Sequence, residues 1–319
     1  MKKLLITAIG SFSADNVIKT CIEAGYEVYG CDIYPAEWVA SSKDVKKFFN
    51  VPKATSGQPY LDAVKEICRE YKIDGILPLI DIEIDLFCSQ DRENFPAKIC
   101  ISDTDTIRLC RDKYRMTEFL EKQGICRTIP GILLREYQDG QWEYPLIVKP
   151  VDGRSSQGLH RVYDPLYMEY VRKLCRSEAE HYLVQPMLAG DIITVDVVRN
   201  SEKDEISCLP RKELLRTLNG AGTSVYVFRD ERLELQCSQI AKALGIRGCV
   251  NMEFVETAPG EYYFLECNPR FAGGVAFSRE AGYDMVQNHM RCFENIDIQS
   301  MENIQQVYIA RRYVEFVMN

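Results

Sequence analysis

Apolar positions along this chain fall into two recurring rhythms. Short continuous runs, the mark of buried strands, alternate with residues spaced three and four apart, the mark of amphipathic helices. Residues 4–9 form one such run, closed by the turn Gly10-Ser11-Phe12-Ser13, and Val17, Ile18, Cys21 and Ile22 then recur at helical spacing up to Gly25. Residues 26–31 predict a second strand ending in Asp32. Leu61, Val64, Ile67, Cys68 and Tyr71 predict the next helix, and residues 75–78 and 98–102 two more strands. This alternation predicts a doubly wound, Rossmann-like α/β domain over residues 1–107. Asp81 and Glu83 fall near a strand end, where open sheets place ligands; substrate contact and capping of the next helix are both open for them.

Past that boundary the rhythm becomes mixed. Asp112 predicts a helix start, with Met116, Phe119 and Leu120 on one side and Gly124 as its stop. Residues 145–149 predict a strand, 151–158 a loop rich in Gly and Ser, and 159–163 a returning strand. A helix follows with Leu166, Tyr170, Val171 and Leu174 turned inward, then a strand at 181–185, a bend at 185–191 and a strand at 192–198. Residues 206–210 predict a strand leading into the basic cluster 211–216, which by itself would be a solvated face. A helix carries Leu233, Cys237, Ile240, Ala241 and Leu244; another spans residues 281–292. The tail, at 307–310 and 313–317, is expected to pair back onto the same sheet.

The most informative pattern is a late hairpin. Residues 250–256 and 261–270 are rich in β-branched and aromatic residues and are separated by Thr257-Ala258-Pro259-Gly260. Strict alternation would put Met252, Phe254, Tyr263, Leu265 and Cys267 on a core face and Asn251, Glu253, Phe264, Glu266 and Asn268 on the other. Glu253 then lies opposite or diagonal to Glu266, where like charges repel. Splaying into water, uptake of a proton or a hard divalent cation would each relieve this; Asn268, a third oxygen donor on that face, favours Mg²⁺.

Bulk composition narrows the partners. Hydrophobic residues at 46% and charged ones at 27% are ordinary for a globular protein, and 319 residues suit two or three lobes. Net charge is 39 − 47 = −8 with no long basic run, which argues against nucleic acid as a partner. Thirteen cysteines without a CxxC pair fit reduced thiols in a cytoplasmic protein, and three His offer no zinc-ligand spacing. Met1-Lys2-Lys3 and the short run after it read better as a first strand than as a signal peptide, and no stretch suits a bilayer span.

Local chemistry points to a polyanion. The loop carrying Gly153, Arg154, Ser155, Ser156 and Gly158 joins two strands, unlike a Walker loop, and its small residues can turn N–H groups toward phosphate; Lys149 stands just before it. An ordinary hairpin loop is the alternative. Lys113, in the first turn of a helix, is slightly unfavourable unless an anion binds there, although a surface Lys remains possible as a reading. Pro186 frees backbone groups near Val184 and Met187 that could pair with adenine, and Asp191 could accept from a ribose hydroxyl.

Taken in order, Asp112-Lys113, Lys149-Pro150, the 153–158 loop, the 185–191 bend, Asn251-Met252-Glu253 and Glu266-Cys267-Asn268-Pro269-Arg270 resemble the ATP-grasp superfamily, within it the carbamoyl-phosphate-synthase-like carboxylate–amine ligases. The resemblance implies an α/β fold with α+β lobes: a Rossmann-like pre-ATP-grasp domain, an ATP-grasp N-terminal lobe at 108–184 and a C-terminal lobe at 185–319. It implies ATP as cofactor with Mg²⁺ or Mn²⁺. Lys113 and Lys149 would contact phosphates, Gln185 and Met187 would hold adenine through backbone groups, and Asp191 would bind ribose. Glu253, Glu266 and Asn268 would ligate the metal; Arg270 and one of Arg211 or Lys212 would face the transferred phosphoryl. Glu253, where the synthases have Gln, Gln185, and Asp191, commonly Glu, depart from the pattern.

The implied reaction is amide or peptide-bond formation through an acyl phosphate, on small-molecule carboxylate and amine substrates; oligomeric state is open, with a homodimer the general expectation. Three rivals are bicarbonate or carbamate phosphorylation, a nucleotide-binding protein without turnover, and a nicotinamide oxidoreductase. The first is disfavoured by room for one ATP module only and no glutaminase Cys/His pair, the second by the complete acid, amide and arginine set, the third by the lone Gly10.

Overall fold

The computed structural model describes residues 1–154, 157–218 and 220–318. The first domain runs β1 (Lys3–Thr7), α1 (Ala14–Glu23), β2 (Glu27–Asp32), β3 (Phe48–Asn50), α2 (Gln58–Tyr71), β4 (Gly75–Pro78), α3 (Asp81–Cys88) and β5 (Lys98–Ile99). Its strands are all parallel in the order β3-β2-β1-β4-β5, with helices on both faces covering the apolar runs. The carboxyl ends of β1 and β4 therefore point at the rest of the chain. Asp32, closing β2, accepts from the Gly10 and Tyr34 amides at 2.8 and 3.1 Å.

Two helices bridge to the second half, α4 (Thr104–Arg111), which periodicity had not announced, and α5 (Lys113–Gln123). Asp112 caps α5 by accepting from the Arg115 amide at 3.0 Å, and Gly124 ends it at φ 63°. After the short β6 (Arg127–Thr128) comes a small lobe: β7 (Ile132–Leu133), β8 (Leu146–Pro150), β9 (His160–Val162), α6 (Pro165–Leu174) and β10 (Tyr182–Pro186), an antiparallel sheet ordered β7-β10-β8-β9. The large lobe follows with β11 (Asp191–Asn200), β12 (Glu205–Arg216), β13 (Gly222–Val227), α7 (Glu231–Ala243), β14 (Gly248–Ala258), β15 (Glu261–Asn268), α8 (Val275–Glu280), α9 (Met285–Glu294) and β16 (Val307–Ala310). Its sheet is ordered β16-β13-β12-β11-β14-β15-β6.

Four expectations are corrected. The middle lobe is smaller than 108–184, because Met116 and Leu120 of α5 pack with Ile193, Val195 and Phe264, and β6 pairs with β15 in the large sheet. The buried face of α6 is Met168 and Val171, while Leu166, Tyr170 and Leu174 are exposed. The helix expected at 281–292 begins later, at Met285, after a separate short helix that ends at Glu280; between them Gly282, with φ 106° and the Asn303 carbonyl 2.8 Å from an added Cβ, admits only glycine. Of the tail, β16 pairs with β13 but residues 313–317 form no strand.

The late hairpin carries a fifth. A β-bulge between the Glu253–Glu266 and Phe254–Phe264 pairs leaves Leu265 without a partner and reverses the alternation on β15. Phe264 accordingly enters the core, edge-on to Phe254 with centroids 5.5 Å apart, and Leu265 turns toward the cleft. One apolar cluster joins the first domain to the large lobe, running from Ile6, Ile9 and Val17 to Phe271, Val275 and Met290. The cleft between the lobes thus has a fixed floor.

Candidate functional site

A cavity of about 700 Å³ lies where the small sheet, the large sheet and the strand ends of the first domain meet. Alternation on the large sheet decides which side chains reach it. Thr194 of β11, Arg211 and Glu213 of β12, and Asn251 and Glu253 of β14 face the cavity, whereas Ile193, Val195, Met252 and Phe254 pack in the core behind. Glu266 and Asn268 of β15 complete the face.

Glu253 and Glu266 are directly paired across the strands. Burial, then the charge of Glu266, pushes the Glu253 carboxyl above its usual range, against the pull of Arg216, whose Nη2 donates to Glu253 Oε2 at 3.0 Å. Burial acts upward on Glu266 too, but the Lys113 and Lys149 ammonium groups outweigh it and hold this carboxyl below its usual range. The two acids therefore titrate apart. Asn268 Nδ2 donates to Glu266 Oε1 and Asn251 Oδ1, each at 3.0 Å, so its NH₂ is engaged while its own Oδ1 has no hydrogen-bond partner among the described residues.

The fit to a hard cation follows from that donor set: two opposed carboxylates and an amide oxygen whose NH₂ is already engaged. Among the described residues no group of three or more His, Cys, Asp or Glu side chains is placed to hold a metal ion. A cation here would complete its shell with water or with oxygens of its ligand, as Mg²⁺ does in phosphate sites.

Cations face these acids from the other wall. Lys149, near the end of β8, is 7% exposed and has no hydrogen bond or ion pair among the described residues. Burial drives its ammonium down to about 8 despite the attraction of Glu266. A buried cation without a partner is costly and calls for an anion. Lys113 Nζ donates to the Gly153 carbonyl at 2.6 Å and stands 3.6 Å from Glu266 Oε2, while its amide donates to Val151 O at 2.9 Å. The helix start is thereby stitched to the base of the 151–158 loop. Gly153 and Arg154 border the cavity; Ser155 and Ser156 lie outside the described residues. Gly158 takes φ 70°, and a Cβ there would come within 2.9 Å of the Pro150 ring, so the loop's return requires glycine.

Arg270 borders the cavity with Nε donating to Asp81 Oδ2 at 3.0 Å and Nη1 to Phe271 O at 3.1 Å. Arg211 also borders it, but is clamped: Nη1 donates to Asp196 Oδ2 at 2.6 Å and Nε to Glu213 Oε1 at 3.1 Å. Lys212 does not belong to this face. Strand alternation turns it to the opposite side of β12, where Nζ lies 2.5 Å from Asp191 Oδ2 and 3.6 Å from Glu256 Oε2. Asp191 is correspondingly turned away from the cavity, so neither the phosphoryl role of Lys212 nor the ribose role of Asp191 is supported.

The structure bears on the adenine expectation at one backbone donor, the Met187 amide. Val184 is a buried core residue with both sheet neighbours in place, opposite Ile132 and Val148. The Met187 amide donates to Pro145 O at 3.0 Å, and the Gln185 side chain donates to Ile129 O at 2.9 Å. Along this cavity edge the Leu188 amide is the donor without a partner among the described residues. Glu213 was not foreseen as a site residue, and Asp81 was left open between substrate contact and helix capping. Asp81 lay near a strand end, but nothing in the local sequence marks a partner so distant; Glu213 was hidden in a cluster that reads as solvated. Glu83 is no part of the site: it is buried in the first domain, accepting from Thr7 Oγ1 at 2.5 Å and Tyr60 OH at 2.8 Å.

A small antiparallel sheet against a large, mostly antiparallel sheet, with basic residues on one wall and paired acids on the other, makes the two-lobed cleft of an ATP-grasp fold. Residues 178–314 match the family described as ATP-grasp in the biosynthetic pathway with Ter operon, and residues 4–101 match the PylC-like N-terminal domain. The chain carries an ATP-grasp fold behind a PylC-like N-terminal domain. It is 26% identical over 198 residues to the carbamoyl phosphate synthase large chain of Clostridium beijerinckii, covering 57% of this chain and 18% of that one. The chain thus spans about a fifth of the length of that relative. The biotin carboxylase–β-γ-ATP complex from Campylobacter jejuni superposes with TM-score 0.80 at 20% identity, covering 96% of this chain and 73% of that one. The L-amino acid ligase from Bacillus licheniformis superposes with TM-score 0.70 at 18% identity, covering 90% and 72%. No helix among the described residues is long and apolar enough to cross a membrane.

Proposed function

We propose that the chain is an ATP-dependent carboxylate–amine ligase that activates a small carboxylic acid, an amino acid in the first instance, as an acyl phosphate and passes the acyl group to an amine. The observation that carries this reading is the pairing of a buried Lys149, without a hydrogen-bond or ion-pair partner among the described residues, with the opposed Glu253 and Glu266 across one cavity. That arrangement is costly when empty and balanced by a magnesium-bound polyphosphate.

A carboxylate oxygen of the substrate attacks the γ-phosphorus of ATP, and ADP leaves. The amine then attacks the acyl carbon, phosphate departs and the amine gives up a proton. Lys149, Lys113 and Arg270 hold charge on the transferred group, with no covalent enzyme intermediate. Glu253, Glu266 and Asn268 would hold Mg²⁺ or Mn²⁺, which supplies charge neutralisation of the phosphates when bound. The described ends of the loop, at Gly153, Arg154 and Gln157, border the cavity beside Lys149, and a loop closing there would keep water from the acyl phosphate. Assembly as a homodimer accompanies this reading.

A second reading, phosphorylation of bicarbonate or carbamate, is favoured by the likeness to carbamoyl phosphate synthase. The cavity's extension to Ser11, Phe12 and Ser13 of the first domain offers room for a larger acid and supports the first. A phosphate-release screen with ATP and Mg²⁺, pairing amino and organic acids with amines and including bicarbonate with ammonia, separates them. Release that needs both an organic acid and an amine supports the ligase; release with bicarbonate alone supports the alternative, and no release with any pair sinks both.

A further inference from the structure

Arg270 is gripped from the first domain. Asp81 opens α3 just after β4 and is 4% exposed; its Oδ2 accepts from Arg270 Nε at 3.0 Å across 189 residues of sequence. On its other side Arg111 Nη1 lies 3.6 Å from Asp81 Oδ1. The same guanidinium donates from Nε to Asp85 Oδ1 at 3.1 Å and from Nη2 to the Asp152 carbonyl at 3.0 Å. One chain of contacts therefore runs from the base of the phosphate loop, through Arg111 and Asp81, to Arg270.

We propose that Asp81 is the positioning residue for Arg270, and that Arg111 references both to the phosphate loop, so that the first domain is a working part of the site. With Nε on Asp81 and Nη1 on Phe271 O, two edges of the Arg270 guanidinium are engaged, and Nη2 is the group with no partner among the described residues. A flexible arginine is thereby presented in one orientation before substrate arrives, which favours the transition state over the ground state. Removing the Asp81 charge leaves Arg270 charged but unaimed. A purely structural ion pair between domains would instead affect all ligands alike.

This inference rests on the ligase reading, and the test separates the two. MgADP, and MgADP with aluminium fluoride as a mimic of the transferring phosphoryl group, are titrated against wild type, Asp81→Asn, Arg270→Lys and the double variant. Asp81→Asn should bind MgADP as wild type does but trap aluminium fluoride about 10- to 100-fold more weakly, the range of one charge-assisted hydrogen bond. In the Arg270→Lys background the same change should have no further effect. Equal losses for both ligands, or the same loss in both backgrounds, would overturn the positioning role. A wild-type chain that binds no MgADP would overturn the ligase reading and this inference with it.

Discussion

Replacing Lys149 with methionine should make the ligand-free protein more stable and inactive at once. Methionine matches the length of the lysine stem and fits the same slot without a charge. The fall of the Lys149 ammonium from 10.5 to about 8, caused by burial, corresponds to about 3 kcal/mol against the charged form in the fold. The sign is fixed by linkage: the unfolded chain binds the proton more tightly, so the penalty is complete below pH 8, fades as pH rises toward 10.5 and is absent above. At pH 7 the variant should therefore gain about 1–3 kcal/mol over wild type in urea unfolding, with the gap closing above pH 10. Saturating MgATP should close or reverse the gap, since wild type gains about 2.7 kcal/mol at a hundredfold excess over Kd and the variant loses most of that. Phosphate release should fall about 100-fold or more. A ligand-free Lys149→Met protein that unfolds more easily than wild type, or one that keeps its turnover, would refute the reasoning.

Other substitutions bear on the same site. Glu266→Gln should keep the melting temperature within a few degrees and lower Mg²⁺-dependent ADP release by about 100-fold or more, as measured by a coupled ADP assay. Lys212→Ala and Asp191→Ala, on the far side of the large sheet, should change that rate by less than about twofold, since exposed pairs contribute little; a large loss in either would restore the role assigned from sequence. Because burial and Glu266 raise the Glu253 carboxyl above its usual range, it is the acid of the pair that takes up a proton first as pH falls. That group favours the ligand-free fold at low pH, and the advantage is lost as pH rises through its raised value. Apparent Mg²⁺ affinity in the presence of ADP should consequently weaken on acidification, with proton release on binding measurable by calorimetry in two buffers, and Glu253→Gln should remove both effects.

Much of this was readable because local rules act over a few residues. The Asp112 cap, the Gly124 stop and the strand–helix alternation of the first domain follow from short-range geometry, and the Glu253–Glu266 opposition from one hairpin. The exceptions arise where a partner is remote or a register shifts. The bulge at Leu265 has no residue-level signal in a strand rich in aromatic residues, yet it exchanges the faces of Phe264 and Leu265. The Arg211 and Lys212 ambiguity needed the register of β12 against β11, which places Arg211 opposite Thr194 and aims it at Asp196. The occupied Met187 amide depends on Pro145 just before a neighbouring strand, and the α6 face on which apolar residues the small sheet could reach. Asp81 gains its meaning only from Arg270 and Arg111, which no local pattern connects to it.

The claim that the opposed acids hold a nucleotide-linked cation is tested most directly by electron paramagnetic resonance of Mn²⁺ titrated into the protein with ADP. Wild type should bind Mn²⁺ only in the presence of ADP at micromolar protein, and Glu266→Gln should leave the ion free in solution while its fold persists. Equal Mn²⁺ binding by wild type and Glu266→Gln would contradict the account.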